Sequence, residues 1–203
     1  MDRYRAVVFD YGGVLVLVDR LEQCRALARH SPLAPEQILE RIWGGELERE
    51  AETGRYDSRE QFRRVKERIQ GEAAWSYEQF REEFAEGFQL NPEGLEALRH
   101  AVSRGLRTFV LSNTSYLHSL RLFNYEELAT LPESYVFSFK VGAMKPDPAI
   151  WRHLLAATGL RARQCIYIDD EPAFCRAAER LGFTAIHYAR GGTNLLQRLE
   201  ELL

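Results

Sequence analysis

The sequence predicts an α/β fold: a doubly wound parallel sheet with a helical insertion after its first strand. Three observations carry this expectation. An apolar run, "RAVVFD" at 5–10, stands alone near the start of the chain. From Asn91 onward, short apolar runs alternate with helix-patterned stretches, as βαβ units do. Between the two lies a stretch, about 20–89, with apolar residues at helical spacing and a high density of Glu and Arg.

Taken in order, 5–10 is a buried strand because it is a short, nearly continuous apolar run. "DRLEQCRALARH" (19–30) and "PEQILERIW" (35–43) read as helices. "SREQFRRVKERIQ" (58–70) begins with a capping box, Ser58 with Gln61, and "SYEQFREEFAEGF" (76–88) repeats it with Ser76 and Gln79. About four helices are therefore expected in the insertion, with the aromatics Trp43, Trp75 and Phe80 in its core. In "NPEGLEALRHAVSRG", Asn91 caps a helix, Pro92 takes its first position and Gly105 stops it. A strand follows at 106–112, a helix near 115–124 and a strand at 135–139. Asp147 and Pro148 open a helix that Gly159 ends; a strand covers 165–170. A helix at 172–181 stops at Gly182, a strand spans 184–188, and a last helix starts near Thr193. The expected division is a Rossmann-like core, 1–18 with 90–203, and a helical domain, 19–89.

Composition narrows the function classes. The chain has 203 residues, a net charge of −3 and 28% charged residues, with no basic excess to favour nucleic acid. Its longest apolar runs, such as "VLVLV" at 14–18, are too short to span a bilayer. Cys24, Cys165 and Cys175 are widely spaced and form no CxxC pair, which argues against a disulfide framework or a zinc site. The first strand begins too early for a signal peptide to precede it, so a cytoplasmic protein is expected. A monomer or homodimer is equally compatible with the sequence.

Three strands end in chemistry-bearing residues: the first in Asp10, the strand at 106–112 in Ser112-Asn113-Thr114, and the strand at 165–170 in Asp169-Asp170. Any one of these is an ordinary helix cap. In an open α/β sheet, however, the ligand site lies beyond the carboxyl ends of the strands, where all three sets would converge. Adjacent aspartates repel unless a cation lies between them. With Asp10 they make a hard oxygen site suited to Mg²⁺. Lys145, held in an extended loop before Pro146, is placed to reach back and stabilise phosphoryl charge.

The order and spacing of Asp10 in "VVFDYGGVL", Ser112 in "VLSNTS", Lys145 in "MKPDPAIW" and Asp169-Asp170 in "YIDDEPAF" resemble the four motifs of the haloacid dehalogenase-like hydrolase superfamily. Within it, the chain is similar to the branch containing α-glucose-1-phosphate phosphatase and the phosphatase half of epoxide hydrolases. The resemblance implies a Mg²⁺-dependent phosphatase of small phosphorylated metabolites, sugar phosphates above all, working through an aspartyl-phosphate on Asp10. It implies Mg²⁺ on Asp10, the Gly12 carbonyl and Asp170, with Asp169 near or behind them. Ser112 and the Asn113 backbone would bind phosphate, Lys145 would bridge nucleophile and phosphate, and 19–89 would be the cap.

The pattern departs from most such phosphatases at Gly12, where the proton-transferring aspartate is absent. A good leaving group, such as a sugar 1-phosphate, would suffer least. His118 is a candidate substitute; Tyr11 and Asp19 are weaker ones. Arg55, beside Gly54, is a candidate substrate contact from the cap. Two other readings remain open at this level: a metal-free 2-haloacid dehalogenase, which the paired aspartates disfavour, and a catalytically silent binding or regulatory protein, which only Gly12 favours.

Overall fold

The computed structural model describes residues 4–192 and 194–203. Its centre is a five-stranded sheet of β1 (Ala6–Phe9), β4 (Arg107–Ser112), β5 (Ser134–Phe137), β6 (Cys165–Asp169) and β7 (Thr184–His187). The order is β5-β4-β1-β6-β7, and every neighbouring pair is parallel. β1 lies at the middle, with Phe9 level with Val110 of β4 and Ile168 of β6. The residues that follow β1, β4 and β6 therefore leave the sheet side by side.

Helices cover both faces, as alternate burial requires. Val7 and Phe9 pack on one face with Leu98 of α6 (Pro92–Ser103) and Leu199 of α12 (Leu195–Glu200). Ala6 and Val8 pack on the other with Trp151 and Leu154 of α10 (Pro148–Thr158) and Ala178 of α11 (Pro172–Arg180). α10 is opened by the Asp147 carboxylate on the Ala149 N–H and closed by left-handed Gly159, as its sequence predicts. The predicted start of the last helix at Thr193 lies outside the described residues; Asn194 caps the helix observed.

The chain leaves the sheet region through β2 (Val16–Val18) and returns through β3 (Phe88–Leu90), which pair antiparallel. Between them run five helices rather than four: α1 (Arg20–Ala28), α2 (Pro35–Ile42), α3 (Glu46–Glu52), α4 (Ser58–Arg68) and α5 (Tyr77–Glu83). Their shared core includes Leu27, Ile38, Val65, Trp75 and Phe80, and takes in Leu117 from α7 (Tyr116–Leu122). The helical segment is thereby keyed to the sheet-bearing part through α7.

Several local expectations change. α4 is capped by Asp57, whose carboxylate accepts from the Glu60 N–H; the Ser58 hydroxyl instead bonds Tyr77. The Ser76–Gln79 capping box is present as predicted. Asn91 stands at the N-cap of α6, but its amide donates to the Val14 carbonyl and the Tyr188 hydroxyl. It ties the β1–β2 turn to β7's end instead of closing a helix. The strand predicted at 135–139 stops at Phe137, because Ser138–Val141 forms a helical turn, α9. A further short helix, α8, covers Glu126–Thr130.

Candidate active site

The three polar strand ends meet at the carboxyl edge of the sheet. Single carboxylate oxygens of Asp10, Asp169 and Asp170 lie within 4.8 Å of one another. Lys145, from the loop before α10, joins them: its Nζ is 2.9 Å from Asp10 Oδ1 and 2.7 Å from Asp169 Oδ2. The lysine is buried, as are both carboxylates. A buried ammonium is tolerable only when paired. Burial would lower the Lys145 pKa, but Asp10 and Asp169 outweigh it and hold the ammonium charged.

Each member is held in place. The Asn113 side chain grips the Lys145 backbone from both sides, accepting from its N–H at 2.7 Å and donating to its carbonyl at 3.0 Å. Asp169 accepts from Lys145, from the Tyr167 hydroxyl, and from the Glu171 N–H at 2.8 Å. Asp169 thus orients the lysine, and has little coordinating capacity left. Asp10 Oδ1 takes the Tyr11 N–H at 2.7 Å and Lys145. Among the described residues, Asp10 Oδ2 has no donor. Ser112 is buried beside these groups, its hydroxyl on the Asn113 carbonyl at 3.2 Å.

Three carboxylates against one ammonium leave negative charge uncompensated. Burial raises the Asp10 pKa, with Lys145 opposing and Asp169 and Asp170 reinforcing. Asp170 is also raised, by burial and by Asp169. A divalent cation among these oxygens would relieve both, and the donor set is the hard one Mg²⁺ prefers. The residues present therefore fit the metal. The adjoining glycines differ. Gly13 has φ +83°, and a Cβ there would fall 2.1 Å from Asp170 Oδ2. A Cβ at Gly12 would meet nothing nearer than Val18 Cγ2 at 3.7 Å. Position 13 requires glycine; position 12 does not.

Above the triad is a cavity of about 420 Å³, lined by Asp10, Ser112, Lys145 and Asp170 on one side and by Arg20, Trp43, Glu48 and Glu52 from the helical segment on the other. Gln23 of α1 also lines it. A larger concavity, about 870 Å³, lies at the opposite end of the sheet and is lined by Arg5, Arg104, Arg107, Arg161 and Arg163. It contains none of these carboxylates.

The predicted residues divide accordingly. Asp10, Gly12, Ser112, Asn113, Lys145, Asp170 and His118 all line the cavity, with Asp169 behind them. Arg55 does not: it is exposed on the turn after α3, and Arg20 supplies the cavity's guanidinium instead. Trp43 is not purely core. It lines the cavity, stacked on His118 at 5.5 Å with Arg20 over its ring at 4.9 Å. His118 is buried, stacked on Phe84 at 4.7 Å, with Nε2 3.2 Å from the Phe84 carbonyl. Burial pulls its pKa down to about 4, so it is neutral near pH 7. Arg20, Gln23, Glu48 and Glu52 were not foreseen from the sequence. Their only local signal was the general expectation that the insertion faces the strand ends.

The haloacid dehalogenase-like hydrolase profile matches residues 4–182. A Mycobacterium tuberculosis protein named as a phosphatase is 30% identical over 92% of this chain and 88% of its own length. The structure of a predicted HAD-like family hydrolase from Porphyromonas gingivalis superposes with a TM-score of 0.82, at 26% identity and 98% coverage of both chains. A HAD family enzyme of Bacteroides thetaiotaomicron, solved with magnesium and inorganic phosphate, shares the fold with a TM-score of 0.79 at 18% identity, covering 94% of this chain and 96% of its own.

Proposed function

The chain belongs to the haloacid dehalogenase-like hydrolases, and from that premise we propose that it is a Mg²⁺-dependent phosphatase of small phosphorylated metabolites, sugar phosphates foremost. The observation that carries the reading is the buried Lys145 held between Asp10 and Asp169 where β1, β4 and β6 end together. The phosphatase name of the M. tuberculosis relative and the phosphate complex of the B. thetaiotaomicron neighbour support it.

In this reading Asp10 is the nucleophile. Lys145 and the Tyr11 N–H fix Oδ1, and Oδ2 has no donor among the described residues. The Asp10 carboxylate attacks phosphorus, an aspartyl-phosphate forms, and water later releases phosphate. Lys145 supplies a fixed positive charge where phosphoryl charge gathers, and Ser112 with the Asn113 backbone supplies hydrogen bonds to the phosphoryl oxygens. Mg²⁺, held by Asp10, the Gly12 carbonyl and Asp170, would neutralise phosphoryl charge when bound. Asp169 positions Lys145.

Residues 19–89 act in this proposal as a cap on the core formed by 1–18 and 90–203. The cavity volume suits a small metabolite, and Arg20, Gln23 and Glu48 offer partners for hydroxyl or anionic groups. A metal-free dehalogenase would have to leave the surplus of carboxylates around Lys145 uncompensated, which disfavours it.

The test is a screen of phosphorylated metabolites with Mg²⁺. Turnover of at least one sugar phosphate is expected, and Asp10→Asn should lower it by more than about 10⁴-fold, as removal of a nucleophile does. Phosphate release that persists in Asp10→Asn would overturn the assignment.

A further inference from the structure

The missing aspartate at position 12 leaves the leaving oxygen without an obvious proton source. We propose that Glu52, at the end of α3, is that source: it protonates the departing oxygen and then takes the proton of the attacking water. The inference rests on the phosphatase reading above.

Glu52 lines the same cavity as Asp10, Ser112 and Lys145, although it reaches the cavity from a helix 42 positions further along the chain than Asp10. It is only 9% exposed. Its neighbours on α3 are engaged: Glu48 holds Arg20 and the Gly44 N–H, and Glu50 holds Arg64. Among the described residues the Glu52 carboxyl has no hydrogen bond or ion pair. An ionised carboxylate that is buried and unpaired is costly, so such a group keeps its proton. Burial is the largest influence here and Glu48 adds to it; Arg20 and Lys145 oppose, and Asp10 reinforces. The result is a pKa pushed up to about 8. Those four groups, Asp170, the Tyr11 phenol and the neutral His118 are the titratable or charged residues lining the cavity with it. At neutral pH Glu52 is an acid with a proton to give, poised near the working pH as general acid catalysis requires.

The rival donors are less suited. His118 is neutral, and a proton on Nε2 is committed to the Phe84 carbonyl. Asp19 caps α1 through the Glu22 N–H and does not line the cavity. Burial makes the Tyr11 phenol a weaker acid still.

The steps balance. As the bond from Asp10 to phosphorus forms and the ester P–O bond breaks, the Glu52 proton passes to the leaving oxygen, giving an alcohol, an aspartyl-phosphate and ionised Glu52. Water then bonds to phosphorus as the Asp10–phosphorus bond breaks. Its proton returns to Glu52, and hydrogen phosphate leaves.

The experiment compares p-nitrophenyl phosphate, whose leaving group needs no proton, with a phosphate ester of a simple alcohol or a sugar 6-phosphate. Glu52→Gln should lower kcat/KM, which reports the steps up to departure of the alcohol, about 10²–10³-fold on the alkyl ester and by less than about threefold on the aryl ester. Wild-type kcat/KM on the alkyl ester should fall as pH rises through about 8, where Glu52 loses its proton, and this limb should vanish in the variant. Glu52→Met, similar in volume and without charge, should show the same selectivity. Gly12→Asp, for which a Cβ has room, should restore alkyl turnover in the Glu52→Gln background. Wild-type turnover that depends on Asp10, with no leaving-group-selective loss in either Glu52 variant, would overturn the Glu52 role and leave the phosphatase standing. No Asp10-dependent turnover in the wild type would overturn both.

Discussion

On the sheet side of the cavity, Lys145 lies 2.9 Å from Asp10 and 2.7 Å from Asp169, with 1% of its side chain exposed. On the helical side, Arg20 and Glu48 also meet at 2.7 Å, but half of the Arg20 side chain is in solvent. The distances are alike and their consequences are not. A buried pair has no bulk water to exchange with, so it fixes geometry and its rupture is expensive. A solvated pair exchanges readily with water and contributes little. In the proposed phosphatase the chemistry therefore sits on groups that cannot move, while the groups facing the rest of a substrate can adapt to it. Glu52 breaks this division: it comes from the helical side, yet has the burial of the sheet side.

The contrast is tested most severely at Lys145. Lys145→Met strands two buried carboxylates, so metal-free protein at pH 8 should lose about 3–5 kcal/mol of stability in urea titrations. Turnover with Mg²⁺ should fall about 10²–10³-fold, the usual effect of deleting one preorganised donor. Arg20→Met, on the helical side, should cost no more than about 1 kcal/mol. Equal losses for the two variants would erase the distinction.

The two adjacent glycines sharpen it on a smaller scale. Gly13→Ala forces a side chain into left-handed backbone and against the Asp170 carboxylate. Mg²⁺ affinity, read by calorimetry, should drop roughly 10–100-fold, as when a metal ligand loses its support. Gly12→Ala meets only Val18 at ordinary contact distance. Its urea midpoint should shift by no more than the equivalent of about 0.5 kcal/mol.

What the sequence disclosed follows the same line. Asp10, Ser112, Lys145 and Asp169-Asp170 were legible because each sits at a strand end or beside a helix cap, and sheet topology alone brings strand ends together. Arg20 and Glu52 were not legible, because only tertiary packing of the helical segment carries them to the cavity. α3 itself was missed: its seven residues, "ELEREAE", contain just Leu47 and Ala51 as an apolar face. β2 and β3 have three residues each, too few to show a period. At α4, Asp57 and Ser58 both carry capping oxygens one residue apart, and the pull of Tyr77 on Ser58 leaves the cap to Asp57.

The smallest effect isolates stability on the helical side from the chemistry. His30 is stacked on Trp75 at 5.0 Å, and its ring nitrogens face Glu72 at 2.7 Å and Glu83 at 2.9 Å. Burial alone would lower its pKa, but the two carboxylates outweigh it and the pKa is raised. A histidine raised on folding stabilises fully below its unfolded value, about 6.5, and loses that contribution as pH rises through the folded value. The carboxylates must also be ionised, which sets the lower edge of the window near pH 5. Glu72 is half exposed, so solvent screening keeps the contribution small, on the order of 1 kcal/mol. Urea midpoints of wild type and His30→Gln should therefore differ most between about pH 5 and 6.5 and converge above. None of the residues of this clamp lines the cavity. The alkyl-ester pH limb assigned to Glu52 should accordingly be the same in His30→Gln as in the wild type; a shifted limb would mean that the helical segment passes its charge state to the chemistry.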